Sequence, residues 1–302
     1  MTARSAQRPV TPALAFAVAA AGIGLFSIMD AFMKSLVLAI GVYNALLWRT
    51  LISAGLGAAV WRVGGAPKPS ARGFRLHVLR ACVTAVMAVL FFWGLARVPM
   101  AQAITLTYVA PILALLLGAV VLKERVGRRV AIGSAAALLG VLVVLAGQSQ
   151  MRLGEEALAG SVAVIASAVL YAVNLIVARL QSQAAGPGEI AFFQSGIIGL
   201  ILLCAAPWLA IWPDAGEWPK LAIGAALATA SLFLLGWAYA HGETGYLATT
   251  EYTSFLYAAL LGYAVFGERL SLWTIAGAGV IVAACLYAAR SRDIAAQTQV
   301  VP

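Results

Sequence analysis

Charge is what this sequence has least of. Of its 302 residues only 10% are charged and 11 are acidic, while 63% are apolar. An ordinary soluble domain carries about 25% charged residues, so the composition excludes disorder and any sizeable domain outside a membrane. Cysteine is scarce as well. Cys82, Cys204 and Cys285 each stand alone in an apolar run. An odd count without CxxC or Cys/His spacing excludes a disulfide framework and a zinc site, and leaves three small buried hydrophobes. No metal and no cofactor is expected. A G-x-x-x-x-G-K-[ST] loop is missing, so ATP does not drive the chain directly. Neither HExxH nor a serine-nucleophile setting occurs; Phe193-Gln194-Ser195-Gly196 lacks the flanking pattern. The chain does not read as an enzyme. Its net charge of +9 raises the question of nucleic acid, but no basic stripe with interleaved aromatics answers it.

What is present is apolar helix. Sixty-three per cent of 302 residues is about 190, and a membrane-spanning helix needs about 20. Runs and breaks predict ten helices, at 13–33, 41–63, 74–97, 100–122, 128–147, 157–180, 189–211, 218–241, 245–267 and 271–290. The breaks are charged or rich in Gly and Pro, as at Gly64-Gly65-Ala66-Pro67-Lys68-Pro69, Gly186-Pro187-Gly188 and Trp212-Pro213-Asp214. Connections are short, so neighbours form antiparallel hairpins. With the N-terminus placed inside, 14 of the 20 basic residues fall on the inner side and six on the outer. That bias predicts both termini in the cytoplasm and an even number of spans. The first run, after Arg4 and Arg8, resembles a signal peptide. Its 21 residues and its place in the repeat below make it helix 1 instead.

Sliding the chain against itself by 144 residues brings its halves into register. Trp93 falls on Trp237, Thr105 on Thr249, Tyr108 on Tyr252, and Glu124-Arg125 on Glu268-Arg269. Asp30 falls opposite Asn174. Each repeat holds five helices, an odd number, so the second must enter the bilayer inverted. The expected architecture is an all-α polytopic membrane protein, ten transmembrane helices in two inverted five-helix repeats at 13–147 and 157–290, with cytoplasmic tails at 1–12 and 291–302. Inverted repeats are characteristic of secondary transporters.

With Trp48-Arg49 in helix 2, Ala110-Pro111 and Leu122-Lys123-Glu124-Arg125 at helix 4, and the second Gly267-Glu268-Arg269, the sequence resembles the drug/metabolite transporter superfamily in its ten-helix EamA-type branch. Within that branch it is most similar overall to bacterial aromatic amino acid exporters (YddG-type). One departure is that Pro111 has Phe255 as its repeat partner, so strict symmetry between helices 4 and 9 is not expected. The resemblance implies a central cavity lined by helices 1, 3, 4, 6, 8 and 9, in a bacterial inner membrane.

Polar and aromatic stripes lie on those helices. Gln102, Thr105 and Tyr108 share a face of helix 4, with Pro111 a turn beyond. Helix 9 repeats the pattern with Thr249 and Tyr252 and adds Glu251; helix 6 carries Ser167, Tyr171 and Asn174; helix 8 carries Trp237 and His241. Each has a plainer reading. Trp93 and Trp237 sit near helix ends, as belt residues do, and His241 reads as interfacial. Tyr108, Tyr171, Asn174 and Tyr252 lie deeper and serve equally as cavity lining or as bonds between helices. Asp30 and Arg49 are equidistant from the turn of the first hairpin and placed to neutralise one another; Lys34 is a second candidate partner for Asp30. The pair reads as a structural tie or as a switch responsive to solute or proton. Glu251 has no evident cation nearby, which would suit proton coupling. Scarce intramembrane base argues against organic phosphates and nucleotide sugars.

The sequence thus predicts a secondary active exporter of small organic solutes, aromatic or apolar amino acids foremost, working by alternating access. Its partners are the solute, the lipid bilayer and, on energetic grounds, protons; no nucleic acid is expected, and monomer and dimer both remain open. An exporter of organic cations or drugs is the rival, favoured by an acidic group in an aromatic cavity. A membrane-embedded enzyme or scaffold is a third class, against which the inverted repeat weighs.

Overall fold

The structure is a computed structural model that describes residues 11–66, 68–121, 128–150, 154–241, 247 and 249–298. Helix is the only regular structure among them. The elements are α1 (Pro12–Val63), α2 (Ala71–Leu95), α3 (Met100–Thr107), α4 (Ala110–Val121), α5 (Arg128–Gln150), α6 (Gly154–Ser182), α7 (Pro187–Leu203), α8 (Ala206–Leu209), α9 (Glu217–His241), a 3-10 turn at Thr249–Tyr252, α10 (Thr253–Phe266) and α11 (Leu272–Thr298). Together they form an all-α polytopic membrane protein.

The 52 residues of α1 would measure about 78 Å if straight, more than twice the ~30 Å hydrocarbon core. They do not run straight. Gly41 adopts φ 79°, ψ 160°, a conformation only glycine takes without strain, and the chain reverses there. The guanidinium of Arg49 consequently reaches the Met29 sulfur at 3.7 Å. Residues 34–40, expected as the turn, are helical up to this glycine, because Leu36 and Val37 find buried sites.

Three other predicted helices are interrupted. The fourth divides at Tyr108-Val109 into α3 and α4, one turn before Pro111, where proline removes a backbone donor. The ninth has its 3-10 turn at the equivalent register, although Phe255 stands where proline would be. Hydroxyls account for it. Thr250 donates to the Leu247 carbonyl (2.6 Å), Thr253 to Thr250 (2.6 Å) and Ser254 to Glu251 (2.6 Å). These i−3 bonds hold the backbone in the tighter form. The predicted seventh helix stops at Leu203, and residues 210–216 cross the end of the bundle without helix. Trp48 Nε1 donates to the Ile211 carbonyl (2.9 Å), the Ile211 amide donates to Asn44 Oδ1 (2.8 Å), and Trp212 and Trp218 pack edgewise on Trp48. That crossing segment is therefore tied to α1.

Repeat-related helices run antiparallel. Along the second arm of α1, Tyr43, Thr50, Gly57 and Trp61 meet Leu202, Gly199, Ala191 and Phe192, and Gly188 in turn. Along α5, Gly140 meets Ile281 and Gly147 meets Trp273. Two equivalent helices that oppose each other can be equivalent only if one half is inverted. The pairings between halves repeat accordingly: the first arm of α1 packs on α9 as α6 packs on α2, and Tyr108 touches its own repeat partner Tyr252.

Small residues permit the closest crossings. A Cβ on Gly94 would lie 2.5 Å from the Gly160 carbonyl and 2.6 Å from Val164 Cγ2, whereas one on Gly236 would meet nothing within 4 Å. Gly94→Ala is expected to lower the thermal unfolding midpoint in detergent, since overpacking costs about 1–3 kcal/mol, more than the ~1 kcal/mol that alanine gains in helix propensity. Gly236→Ala should leave the midpoint unchanged or raised. Equal behaviour of the two variants would show that the α2–α6 crossing is not closely packed.

Candidate functional site

Three polar assemblies occupy the bundle. The first ties segments of both repeats together. Lys34, on α1 and 5% exposed, donates to the Val98 carbonyl (2.7 Å) beyond the end of α2 and pairs with Glu268 (2.5 Å) beyond α10. Glu268 also accepts from the Met100 amide (2.7 Å) at the start of α3. A single lysine thus joins three chain segments from both repeats. Lys34 does not pair with Asp30. Asp30 and Arg49 are both buried and within reach of each other's charge but form no direct ion pair, and Asp30 Oδ1 and Arg49 Nε have no hydrogen-bond partner. Arg49 rests near the Phe92 ring, 5.9 Å from its centroid.

The second assembly is aromatic and central. Tyr108 and Tyr252 meet edge to face, with ring centroids 5.3 Å apart. The Tyr108 hydroxyl bonds Ser254 Oγ (2.8 Å) and donates to the Tyr252 carbonyl (3.2 Å), and Cys285 donates to the Tyr108 carbonyl (3.3 Å). Glu251, in the 3-10 turn, is exposed, yet its charge acts on Tyr108, Tyr171, Tyr239 and Tyr252. The Glu251 carboxylate thus lies within electrostatic reach of four tyrosines drawn from both repeats. No ion pair engages it among the described residues. Tyr171 lies within electrostatic reach of Arg80 as well as of Glu251.

The third assembly joins α2, α6 and α7 at the opposite end of α2 from Val98. His77, Arg80 and Thr84 line one face of α2. His77 Nε2 bonds Glu189 Oε1 (2.9 Å), and its Nδ1 bonds Gln181 Nε2 (2.6 Å). Arg80 donates to Gln181 Oε1 (2.6 Å) and to Asn174 Oδ1 (3.0 Å). Thr84 donates to Asn174 (3.2 Å) and accepts from Gln194 (2.8 Å). The Phe193 ring stacks on His77 at 5.0 Å and 15°.

The predicted residues separate among these settings. Tyr108, Tyr171, Tyr252 and Glu251 come together in the aromatic assembly, and Asn174 joins the chain on α2. Gln102 and Thr105 are buried in contacts of their own: Gln102 donates to Ser161 Oγ (3.2 Å), Thr105 to the Ala101 carbonyl (2.7 Å). Thr249 opens the 3-10 turn, but its side chain lies outside the described set, as do Glu124 and Arg125. Trp237 is 37% exposed and stacks on His241 in the last turn of α9. Trp93 lies under the Arg97 guanidinium, 3.7 Å from its centroid, beside a groove of about 290 Å³ shared with Glu155, Glu156 and Ala159. Sequence reasoning passed over Lys34's partner Glu268, and over His77, Arg80, Gln181, Glu189 and Tyr239. Arg80 had a legible signal, for it stands well inside the predicted third helix, where a charge that only orients the chain has no reason to be.

Residues 12–146 and 158–290 each match the EamA-like transporter family. Two curated relatives are the pseudopaline exporters CntI of Pseudomonas aeruginosa strains UCBPP-PA14 and PAO1. Each is 27% identical over 275 residues, a stretch that covers 88% of this chain and 93% of the relative. They are not aromatic amino acid exporters by name. Among solved structures, one crystal structure at 20% identity aligns over 92% of this chain and 98% of its own with a TM-score of 0.59, a likeness of fold.

Breaking the Lys34–Glu268 tie from one side leaves a buried charge unpaired, which costs about 3–5 kcal/mol, whereas replacing both partners with apolar groups costs far less. Lys34→Met should therefore lower the unfolding midpoint more than Lys34→Met combined with Glu268→Leu. Additive losses in a double-mutant cycle would mean that the two side chains do not depend on each other.

Proposed function

We propose that this chain, which belongs to the EamA-like transporter family, exports small amino-acid-like solutes from the cell by alternating access around Arg80, Tyr171 and Glu251. The family makes it a multi-pass membrane transporter and not an enzyme. The relatives' names support export of a small solute as the direction and scale of the task.

The observation that carries the finer reading is that Arg80 is bonded to Asn174 (3.0 Å), one turn from Tyr171 on α6, and that Tyr171 is within electrostatic reach of both Arg80 and Glu251. A guanidinium suits a carboxylate, and an acidic group among ring faces suits an ammonium. Tyr108, Tyr171, Tyr239 and Tyr252 offer an aromatic or apolar side chain both ring area and hydroxyls. Such a solute needs both charges at once, which is why amino acids with aromatic or apolar side chains fit better than simple organic cations. The cation reading draws on Glu251 alone. Gln102, Thr105, Thr249, Trp93 and Trp237 belong to this proposal as outer lining, and Asp30 with Arg49 as a pair whose separation changes during opening.

Alternating access needs a seal at each end. Lys34–Glu268 supports one, and the chain through His77 and Arg80 supports the other. The halves at 13–147 and 157–290 would be the rocking units, with both termini on the cytoplasmic face, as the distribution of basic residues supports.

Proteoliposomes holding the protein and loaded with phenylalanine or tryptophan should exchange the labelled amino acid. Loss of a charge-assisted bond costs about 1.5–3 kcal/mol, so Arg80→Gln should raise the half-saturating concentration by about 10–150-fold at undiminished membrane abundance, with Arg80→Lys intermediate. Exchange of organic cations alone, insensitive to Arg80→Gln, would replace this reading with the cation one. Tyr108→Ala and Tyr252→Ala should each slow exchange. If neither does, the aromatic pair is packing and not lining.

A further inference from the structure

We infer that His77 is a proton-binding site whose occupancy sets whether Arg80 is held to α6 or released to the solute. The inference rests on the solute site proposed above, of which Arg80 is a part.

The hydrogen bonds around His77 have only one consistent polarity. Arginine has donors and no acceptor, so the oxygen of Gln181, Oε1, must face Arg80, as it does at 2.6 Å. The amide nitrogen of Gln181 then faces His77 Nδ1 at 2.6 Å and can only donate to it. Nδ1 is therefore the unprotonated nitrogen. Nε2 carries the hydrogen and donates it to Glu189 at 2.9 Å. The ring is fully buried at 0% exposure, stacked on Phe193, and engaged at both nitrogens.

A proton taken from water forms an N–H bond at Nδ1, the one unprotonated nitrogen of the ring. No bond between heavy atoms changes. Two donors now oppose each other across the contact with Gln181. Turning the Gln181 amide over restores a bond to His77 but sets its NH₂ against the Arg80 guanidinium, again donor to donor. Arg80 must then leave Gln181. Its remaining tie to α6 is Asn174, which also accepts from Thr84. One proton thus frees donors on the residue proposed to hold the solute's carboxylate. Glu189 would pair with the imidazolium at Nε2, so the added charge is met where it forms.

The surroundings admit few other participants. From α7 the charged neighbour is Glu189, and from α2 itself it is Arg80. Among the described residues α6 brings Gln181, and α1 brings the Trp61 ring, which packs against Phe193 at 5.7 Å. Arg62, Arg72 and Arg75 are exposed. His77 reads as buried packing until the polarity of its neighbours is followed outward, and only the donor-only guanidinium at the far end makes it directional.

The direct test is nitrogen NMR of the ¹⁵N-histidine-labelled protein in lipid. The chain has 2 histidines, His77 and His241, and His241→Gln leaves one imidazole, whose two ring nitrogens together report its tautomer. Their signals should show the Nε2–H tautomer at pH 8 and convert to imidazolium on acidification. In proteoliposomes with equal pH on both faces, acidification over the same range should lower the half-saturating solute concentration several-fold. Gln181→Glu offers an acceptor to both neighbours and should abolish the pH dependence of the half-saturating concentration, whatever it does to the transport rate. His77→Asn, which keeps an acceptor towards Gln181 but cannot titrate, should do the same. A His77 signal that stays neutral throughout, or an unchanged pH profile in both variants, overturns the inference. Neither outcome touches the solute reading, which stands or falls on the affinity change in Arg80→Gln at a single pH.

Discussion

Hydrocarbon offers no hydrogen bonds, so every backbone or side-chain polar group inside this bundle must be answered by another part of the chain. That constraint decides where helices can break. The interruption of the fourth span lies where Pro111 has already removed a donor, and Thr107 donates to the Ile104 carbonyl (2.7 Å) beside it. In the ninth span three hydroxyls take carbonyls that a regular helix would have bonded. Both breaks lie on the line of contact between repeats, and both present polar backbone to the aromatic assembly. A transporter needs irregular backbone at its centre, and here serine and threonine make it tolerable.

The same constraint governs the ionisable groups. Lys34 is answered by Glu268 and a carbonyl, Arg80 by two amides, and His77 by a carboxylate and an amide. Asp30 and Arg49 are the exception, since each keeps an unpartnered polar atom while remaining buried. Within reach of each other yet not joined, they hold spare bonding capacity in a setting where such capacity is costly. A small change in the hairpin at Gly41 would alter their separation, which ties their state to the geometry of the first span.

Ten spans, their short connections and the repeat could be read from the sequence because they depend on composition and periodicity, which are local or simply additive. The break at Tyr108 was legible through Pro111. Its twin at Tyr252 was not, because its cause lies in hydroxyls bonding backwards along the helix, a choice that threonine makes only in some settings. The site was legible in part. Tyr108, Tyr171, Tyr252 and Glu251 announce themselves as polar tips in apolar runs. His77 and Glu189 do not, since each stands close enough to a predicted helix end to pass for a residue of the membrane surface, and Arg80, though legible as a charge inside a span, gives no sign of its partners. Their meaning arises from the meeting of α2, α6 and α7, which spacing along one helix cannot reveal.

The backbone is close to two-fold, but the charges are not. At the positions related by the 144-residue shift, Lys34 answers to Ala178, Arg49 to Phe193, His77 to Leu221, Arg80 to Gly224, and Glu251 to Thr107. A symmetric scaffold makes two opposite states comparable in energy. If its charges were symmetric too, the two states would bind solute alike, and the protein would have no means of telling one side of the membrane from the other beyond the gradients it meets. Placing nearly every intramembrane charge on one member of each pair removes that equivalence. Packing, carried by glycines and small residues, then keeps the exchange between states easy. The unpaired distribution of Lys34, Arg80, His77 and Glu251 makes the two opposite states electrostatically unequal, and differential affinity is the only means by which a ligand can shift such an equilibrium.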